Sequence, residues 1–366
     1  MIRAFPKRPQ ETFVSKGLGI EQHVVHSQNT LKHDVAGYCY AQPMSEQKTA
    51  LAVTGSHALA APVFVLPGLS LPPQVVEFLR GIIAECNRRI SLQLSTFPNA
   101  HEEALDLMFI SHFASMQGAI KFGSHWTVRI DAHFIGGGRH YQTWEVADIG
   151  LMAIFRRGGK IHRSKLTFLQ SKKLYASPLK VQEFDPYHRR GIGRLLVTEE
   201  EHSELVQPKL LKYSETSRYK AMQLGSEQQQ AMHEFSTRYG IGILYLLYNP
   251  SLIPWQIQTP VEQVPSIPEN KIGARVLPKK LVDNMTGKQA GYSPSYADIS
   301  KAFAKEFTKS PDTGGWRMEG FICDHFITGT VGLVDDSPNF QTMTRLLSQK
   351  SSPISSALSI TFDYEE

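Results

Sequence analysis

The sequence predicts an α/β protein whose elements run helix, strand, strand, strand, helix, strand around a mixed sheet. Three stretches carry that prediction. Trp126–Ile135 alternates: Trp126, Val128, Ile130, Ala132 and Phe134 are apolar, and Thr127, Arg129, Asp131 and His133 are polar. That period of two marks a half-buried strand. Ile149–Phe155 and Leu166–Leu169 are apolar runs on either side of Arg156-Arg157-Gly158-Gly159, and paired glycines between such runs mark a hairpin. Ile241–Tyr248 (IGILYLLY) is a continuous apolar run stopped by Asn249-Pro250, long enough for a buried strand.

Taken in order, residues 1–70 mix polar and basic side chains with Gly, Ser and His and show no sustained periodicity. Val63–Val65 is a short strand candidate ended by Pro67-Gly68. Pro72-Pro73 precede a helix expected over Gln74–Leu94, where Val75, Phe78, Leu79, Ile82, Ile83 and Cys86 recur at helical spacing. Thr96–Asn99 break it. Asn99 as N-cap with Glu102 at N3 resembles a capping box and opens a helix to about Gly118, with Leu105, Met108, Phe109, Phe113 and Met116 as its stripe. At about 100° per residue, Glu102 falls near the centre of that stripe and Glu103 points away. Glu102 therefore either serves the core side of this helix or only caps it.

Gly136-Gly137-Gly138 is expected to turn the Trp126–Ile135 strand directly into the hairpin. Beyond Tyr175 the chain is charged and irregular, with helical stretches at Gly191–Leu205 and Ser226–Tyr239. Residues 251–290, rich in Pro, Gln and Val, read as a linker or extended cover. Tyr296–Phe307 is a helix with Ala302, Phe303 and Phe307 on one face. Trp316–Thr328 and Phe340–Leu347 read as helical or mixed, and Ala357–Phe362 as a terminal strand. The expected division is an N-terminal extension (1–95), a core (96–250) and a linker with a C-terminal α+β region (251–366), the last either a small second domain or a layer over the core.

Composition bounds the function classes. An apolar share of 41% over 366 residues suits a globular chain. A net charge of +5 is compatible with a nucleic-acid partner without demanding one. Cys39, Cys86 and Cys323 are odd in number and far apart, which excludes a zinc ribbon or a disulfide framework. The N-terminus has no apolar signal core, and Ala58–Leu71 is broken by Pro62 and Pro67 and too short to span a bilayer. The reading is a cytoplasmic protein with no membrane partner. No P-loop, HExxH or GxSxG occurs, and the histidines lack metal-ligand spacing.

The chemistry concentrates in Trp144–Tyr175. Leu166, Phe168, Gln170 and Lys172 share one face of a strand, the first two as core and the last two emerging at the strand end. Asp148 and Gly150 share a face of the partner strand, with open space expected above Gly150. An acid, an amide and a lysine would then converge at one end of a hairpin, where burying charge for structure alone is costly.

This arrangement resembles the PD-(D/E)xK, or restriction-endonuclease-like, nuclease superfamily. Asp148 matches the acid that opens one strand, and Gln170-Ser171-Lys172 matches the second motif with Gln replacing its acid. That is the QxK variant of Mrr-like and bacterial phage-defence nucleases. The resemblance covers roughly residues 99–250. It implies an αβββαβ core and Mg²⁺- or Mn²⁺-dependent hydrolysis of DNA phosphodiesters. It implies Asp148 as principal metal ligand, with the Ser171 backbone carbonyl, Glu102 and the Gln170 amide oxygen as further ligands, and Lys172 orienting water or stabilising the transition state. Replacing the second acid costs the site a charge. Glu102 is the first candidate to compensate. Glu145 is the second, because three residues before Asp148 it points to the opposite face unless the strand bulges. The resemblance further implies the effector of a bacterial restriction or anti-phage system, such as a Lamassu- or Hachiman-type complex, regulated by other subunits.

Arg156, Arg157, Lys160, Arg163, Lys165, Lys172 and Lys173 cluster around the hairpin and are expected to hold a DNA backbone, since phosphate contacts position a duplex without reading it. His188–Leu196 (HRRGIGRLL) partly resembles the acetyl-CoA loop of GNAT acetyltransferases, in which a glycine-rich turn opens a helix. It departs from that family in the short, polar stretch before it and in His188. A basic loop whose Arg189 and Arg190 touch DNA phosphates is preferred. The rival reading is a catalytically silent nuclease fold that binds DNA or acts as a scaffold.

Overall fold

The structure is a computed structural model of the chain. It describes residues 64–66, 69–116, 118–134, 146–178, 211–257, 272–285, 289–336 and 354–366. The chain divides into Met1–Leu59, outside the described residues, and Ala60–Glu366. The division falls well before the expected boundary at residue 95, because the long helix after Pro72 packs into the same body as everything that follows.

Strands β1 (Phe64–Leu66) and β2 (Leu69–Ser70) form a small antiparallel pair. Helices α1 (Pro73–Thr96) and α2 (Glu102–Ala114) precede β3 (Ala119–Phe122), β4 (Trp126–Phe134), β5 (Ala147–Arg157), β6 (Lys160–Lys173), β7 (Ser177–Pro178) and β8 (Leu211–Tyr213). Helix α3 (Glu227–Tyr239) leads into β9 (Ile243–Tyr248), β10 (Trp255–Ile257) and β11 (Arg275–Pro278). Then come α4 (Lys279–Asp283), α5 (Tyr296–Glu306), β12 (Trp316–Arg317), a helix Met318–Gly320 continuing as the π-helix Phe321–Ile327, β13 (Leu333–Asp335) and β14 (Ile354–Tyr364). The protein is mixed α/β. Its main sheet runs β12-β11-β9-β6-β5-β14-β4-β3, with β13 also paired to β6, and contains both parallel and antiparallel pairs.

The β5–β6 hairpin forms where its glycines predict it. Gly158 (φ 54°) and Gly159 (φ 73°) both take the left-handed conformation, which matches the twist of the flanking strands in a two-residue loop. They join Arg157 to its register partner Lys160. The space expected above Gly150 is filled: a Cβ there would stand 2.7 Å from Ile354 Cδ1.

That isoleucine belongs to the strand the local sequence order could not position. β14 lies parallel to β5 and antiparallel to β4, separating them. The Trp126–Phe134 strand therefore does not adjoin the hairpin, and the C-terminal tail is neither a second domain nor a covering layer. Leu358, Ile360 and Phe362 are fully buried, and Ser359 and Thr361 on the other face are buried as well, so both faces of this strand are covered. Phe362 stacks on Phe155 at 5.0 Å. Residues 251–290 are likewise more than a linker, because β11 joins the sheet beside β9 with Arg275, Val276 and Leu277 buried.

The helices cover both faces of the sheet. α1 buries Val75, Leu79, Ile83, Cys86, Ile90 and Leu94. α2 buries Leu105, Phe109, Ile110 and Phe113 and packs on the face of β6 that carries Ser171. α3 sets Phe235 edge-on to Phe168, which points to the opposite face by strand alternation. α3 is capped as its sequence dictates, with Ser226 Oγ accepting from Gln229 N–H and Gly240 (φ 67°) at its end. α2 is not: it starts at Glu102 behind His101, without a side-chain cap. Lys173 explains the difference, because its ammonium donates to the carbonyls of Pro98 and Ala100 and fixes the loop that Asn99 was expected to cap. Cys86 and Cys323 are free and buried; Cys39 lies outside the described residues. Among the described residues no helix is long and apolar enough to cross a membrane.

Because β14 fills the centre of the sheet, a fragment ending at residue 353 is expected to lack a cooperative thermal transition, as calorimetry would show. Phe362→Ala is expected to cost about 3–5 kcal/mol in urea unfolding.

Candidate active site

The β5–β6 ladder ends at Ile149 and Leu169, while β6 continues alongside β9 as far as Lys173. From residue 170 onward β6 has lost its partner on the β5 side. The Asp148 carboxylate takes over that edge. Its Oδ2 accepts the Ser171 N–H at 2.7 Å, the Ser171 hydroxyl at 2.7 Å and the Gln170 amide N–H. β14 holds the backbone of Asp148 from the other side, with Ser356 Oγ donating to its carbonyl at 3.0 Å.

Helix α2 brings two more acids to the same end of the sheet. Asp106 Oδ2 lies 2.7 Å from the Ser171 hydroxyl, and its Oδ1 accepts from the Tyr248 hydroxyl at 2.6 Å. Tyr248 is the last residue of β9. Glu102, one turn earlier on α2, accepts the Lys173 N–H at 2.9 Å and stands 3.7 Å from the ammonium of Lys172. Glu102 thus does more than cap its helix: it is committed to the end of β6. Lys172 is buried, with 5% of its side chain exposed.

The charge balance is unusual. The Ser171 hydroxyl has one hydrogen, yet two carboxylate oxygens each lie 2.7 Å from it. Desolvation, with the neighbouring Asp148 charge adding to it, drives the Asp106 carboxyl well above the usual carboxylate range. Desolvation likewise pushes Asp148 up to about 6, against the pull of Lys172 and the bonds from Ser171. Gln170 Oε1 is buried and accepts no hydrogen bond among the described residues, which ordinarily costs about 1–3 kcal/mol. Two crowded carboxylates and an orphaned amide oxygen fit a hard cation, which takes oxygen ligands. Among the described residues no three acidic, histidine or cysteine side chains are grouped to hold a metal by themselves. Asp148 and Asp106 are the carboxylates that fit such an ion; the Gln170 amide would have to turn to offer its oxygen, because it presents its N–H to Asp148.

Of the residues the sequence singled out, Asp148, Gln170, Ser171, Lys172 and Glu102 come together. Glu145, Arg189, Arg190 and the His188–Leu196 loop lie outside the described residues. The basic hairpin is elsewhere. Arg157 is nine residues along β5 from Asp148, or about 30 Å at ordinary strand rise. Arg156 donates to Gly159 O and pairs with Asp363, Arg157 pairs with Glu366, and Arg163 pairs with Asp336. Lys160 is exposed at the same turn. Lys165 and Lys173, expected on DNA, are buried: Lys165 donates to the carbonyls of Phe326 and Gly329, and burial lowers its pKa to about 8.

Sequence reasoning missed Asp106 and Tyr248. Asp106 had a signal, since it lies four residues after Glu102 and beside Leu105 on the buried stripe of α2. Tyr248 had only its position at the end of an apolar run. No family model matches the chain, and neither a characterised protein nor a solved structure matches it.

A carboxyl raised to about 6 in the folded chain binds its proton more tightly folded than unfolded. Its stabilisation is complete below the unfolded value and is lost as pH rises through about 6. In chelator, Asp148→Asn is therefore expected to gain a few degrees in Tm over wild type at pH 7.5 and nothing at pH 4. A gap that stays constant with pH, measured by differential scanning fluorimetry, would sink this assignment.

Proposed function

We propose that this chain is a metal-dependent DNA endonuclease built on a PD-(D/E)xK core of the QxK kind. The observation that carries the reading is the convergence of Asp148, Gln170 and Lys172 at the open end of the hairpin, with Asp106 as a second carboxylate. Asp106 offsets the acid that Gln170 replaces. Its supply from α2 is what a QxK site needs in order to keep a cation.

When bound by Asp148 and Asp106, Mg²⁺ or Mn²⁺ would supply Lewis-acid polarisation of a phosphate oxygen and a more acidic water. The protein's own side chains do the positioning. Ser171 ties Asp106 to Asp148 through one hydroxyl, and Tyr248 fixes the far oxygen of Asp106. Glu102 pairs with the buried ammonium of Lys172, whose charge also reaches Asp148. There, an ammonium shielded from water stabilises charge developing on the phosphate more strongly than it would in solvent.

A restriction or anti-phage setting, with partner subunits that license cutting, belongs to this reading. A catalytically silent DNA-binding or scaffold module is the second reading. One observation favours it: Glu102, the expected compensating ligand, is committed to Lys172 and the Lys173 N–H.

The deciding measurement is cleavage of plasmid and linear DNA with Mg²⁺ or Mn²⁺, with and without the proteins encoded beside this one. Asp148→Ala, Lys172→Ala and Asp106→Ala are each expected to lower the rate about 100-fold or more. Cutting insensitive to all three would refute the site. DNA binding without cutting under any condition would establish the silent module.

A further inference from the structure

The hairpin turn is remote and its arginines are paired to acids, so a substrate strand at the carboxylate site must meet cations elsewhere. Chain geometry supplies a second group of them. Tyr175 lies three residues past Lys172, about 10 Å along an extended chain. Its N–H donates to the Arg218 carbonyl at 3.0 Å, joining the end of β6 to the segment 217–219. That segment is in turn bridged to Ser295. Its side chains alternate. Ser217 and Tyr219 are buried, and the Tyr219 hydroxyl donates to Asn249, whereas Arg218 and Lys220 are exposed on the outer face.

Each of the two cations is held against an aromatic ring. The Arg218 guanidinium stands 4.7 Å from the centre of the Tyr292 ring and donates to Ser293 O at 2.7 Å. The Lys220 ammonium stands 5.4 Å from the centre of the Tyr175 ring, which Lys173 also approaches at 4.6 Å. Such contacts orient a cation without neutralising it. Among the described residues neither Arg218 nor Lys220 forms an ion pair, in contrast to Arg156, Arg157 and Arg163.

We infer that Arg218 and Lys220, seated on Tyr292 and Tyr175, form the rail that carries the DNA phosphodiester backbone to the carboxylate site. The choice of DNA as partner rests on the nuclease reading. The contact is electrostatic and independent of base sequence.

The test is binding of a labelled DNA duplex in chelator, followed by fluorescence anisotropy across a salt titration. The chains compared are wild type, Arg218→Glu/Lys220→Glu, the charge-preserving Arg218→Lys/Lys220→Arg, and Arg156→Glu/Arg157→Glu. The rail variant is expected to weaken binding about tenfold or more and to lower the slope of log K against log salt by about 2. The charge-preserving and turn variants are expected to bind nearly as wild type does, with melting temperatures confirming that all are folded. Equal loss in the turn variant, unchanged binding in the rail variant, or no binding by wild type would each overturn the inference. Cleavage by wild type with Mg²⁺ or Mn²⁺ separates the two readings. DNA binding without cutting under any condition removes the nuclease reading but leaves the binding comparison intact. Unchanged binding in the rail variant removes the rail alone.

Discussion

One hydrogen is shared by two acids at the centre of this molecule. The Ser171 hydroxyl is fully buried and stands 2.7 Å from a carboxylate oxygen of Asp106 and 2.7 Å from one of Asp148. It cannot donate to both. Burial pushes both carboxyls upward. The neighbourhood is arranged around this demand. Gln170 donates to Asp148 and leaves its own oxygen unmatched, Tyr248 donates to Asp106, and Lys172 pairs with Glu102 while its charge also pulls on Asp148. A fold selected for stability alone would have little reason to collect these groups where solvation is poor. That makes the cluster the centre of the functional reading.

The backbone that holds the cluster comes from distant parts of the chain. β6 outruns β5, and the freed edge exposes N–H groups that the Asp148 side chain can take. β9 lies parallel to β6 over just those residues, which brings Tyr248 beside Lys173. β14, near the C-terminus, pins the carbonyl of Asp148 through Ser356 and fills the space over Gly150 with Ile354. The tail is therefore part of the support of the site, and damage to the sheet there would reach the carboxylates.

Positive charge is divided by use. Lys165 and Lys173 spend their ammoniums on backbone carbonyls and act as internal braces. The hairpin arginines close onto acids of β14, the adjoining C-terminal residues and the end of β13. Arg218 and Lys220 sit on aromatic rings near the cluster and face solvent. Net charge alone could not have revealed this division, because a cation's availability depends on what lies within a few ångströms of it.

Much of this was legible in the sequence where the signal is local. Alternation marked β4, paired glycines marked the β5–β6 turn, an unbroken apolar run marked β9, and Ser226 marked the start of α3, because each depends on residues within one element. The convergence of Asp148, Gln170 and Lys172 at one end of the hairpin was legible too, although a bulge between Phe155 and Arg156 shifts the register by one residue from what the turn alone would set. The rest depended on contacts between elements far apart in sequence. The start of α2 is fixed by Lys173 from β6 rather than by Asn99. The neighbour of β5 is a strand about two hundred residues away. Asp106 became a site residue only when α2 was laid over Ser171, and the hairpin arginines ceased to be one when strand length set them about 30 Å off. Element type and the position of the hairpin turn were determined by local periodicity and turn chemistry. Strand order and the partner of every charge were decided by packing in three dimensions, which no local pattern records.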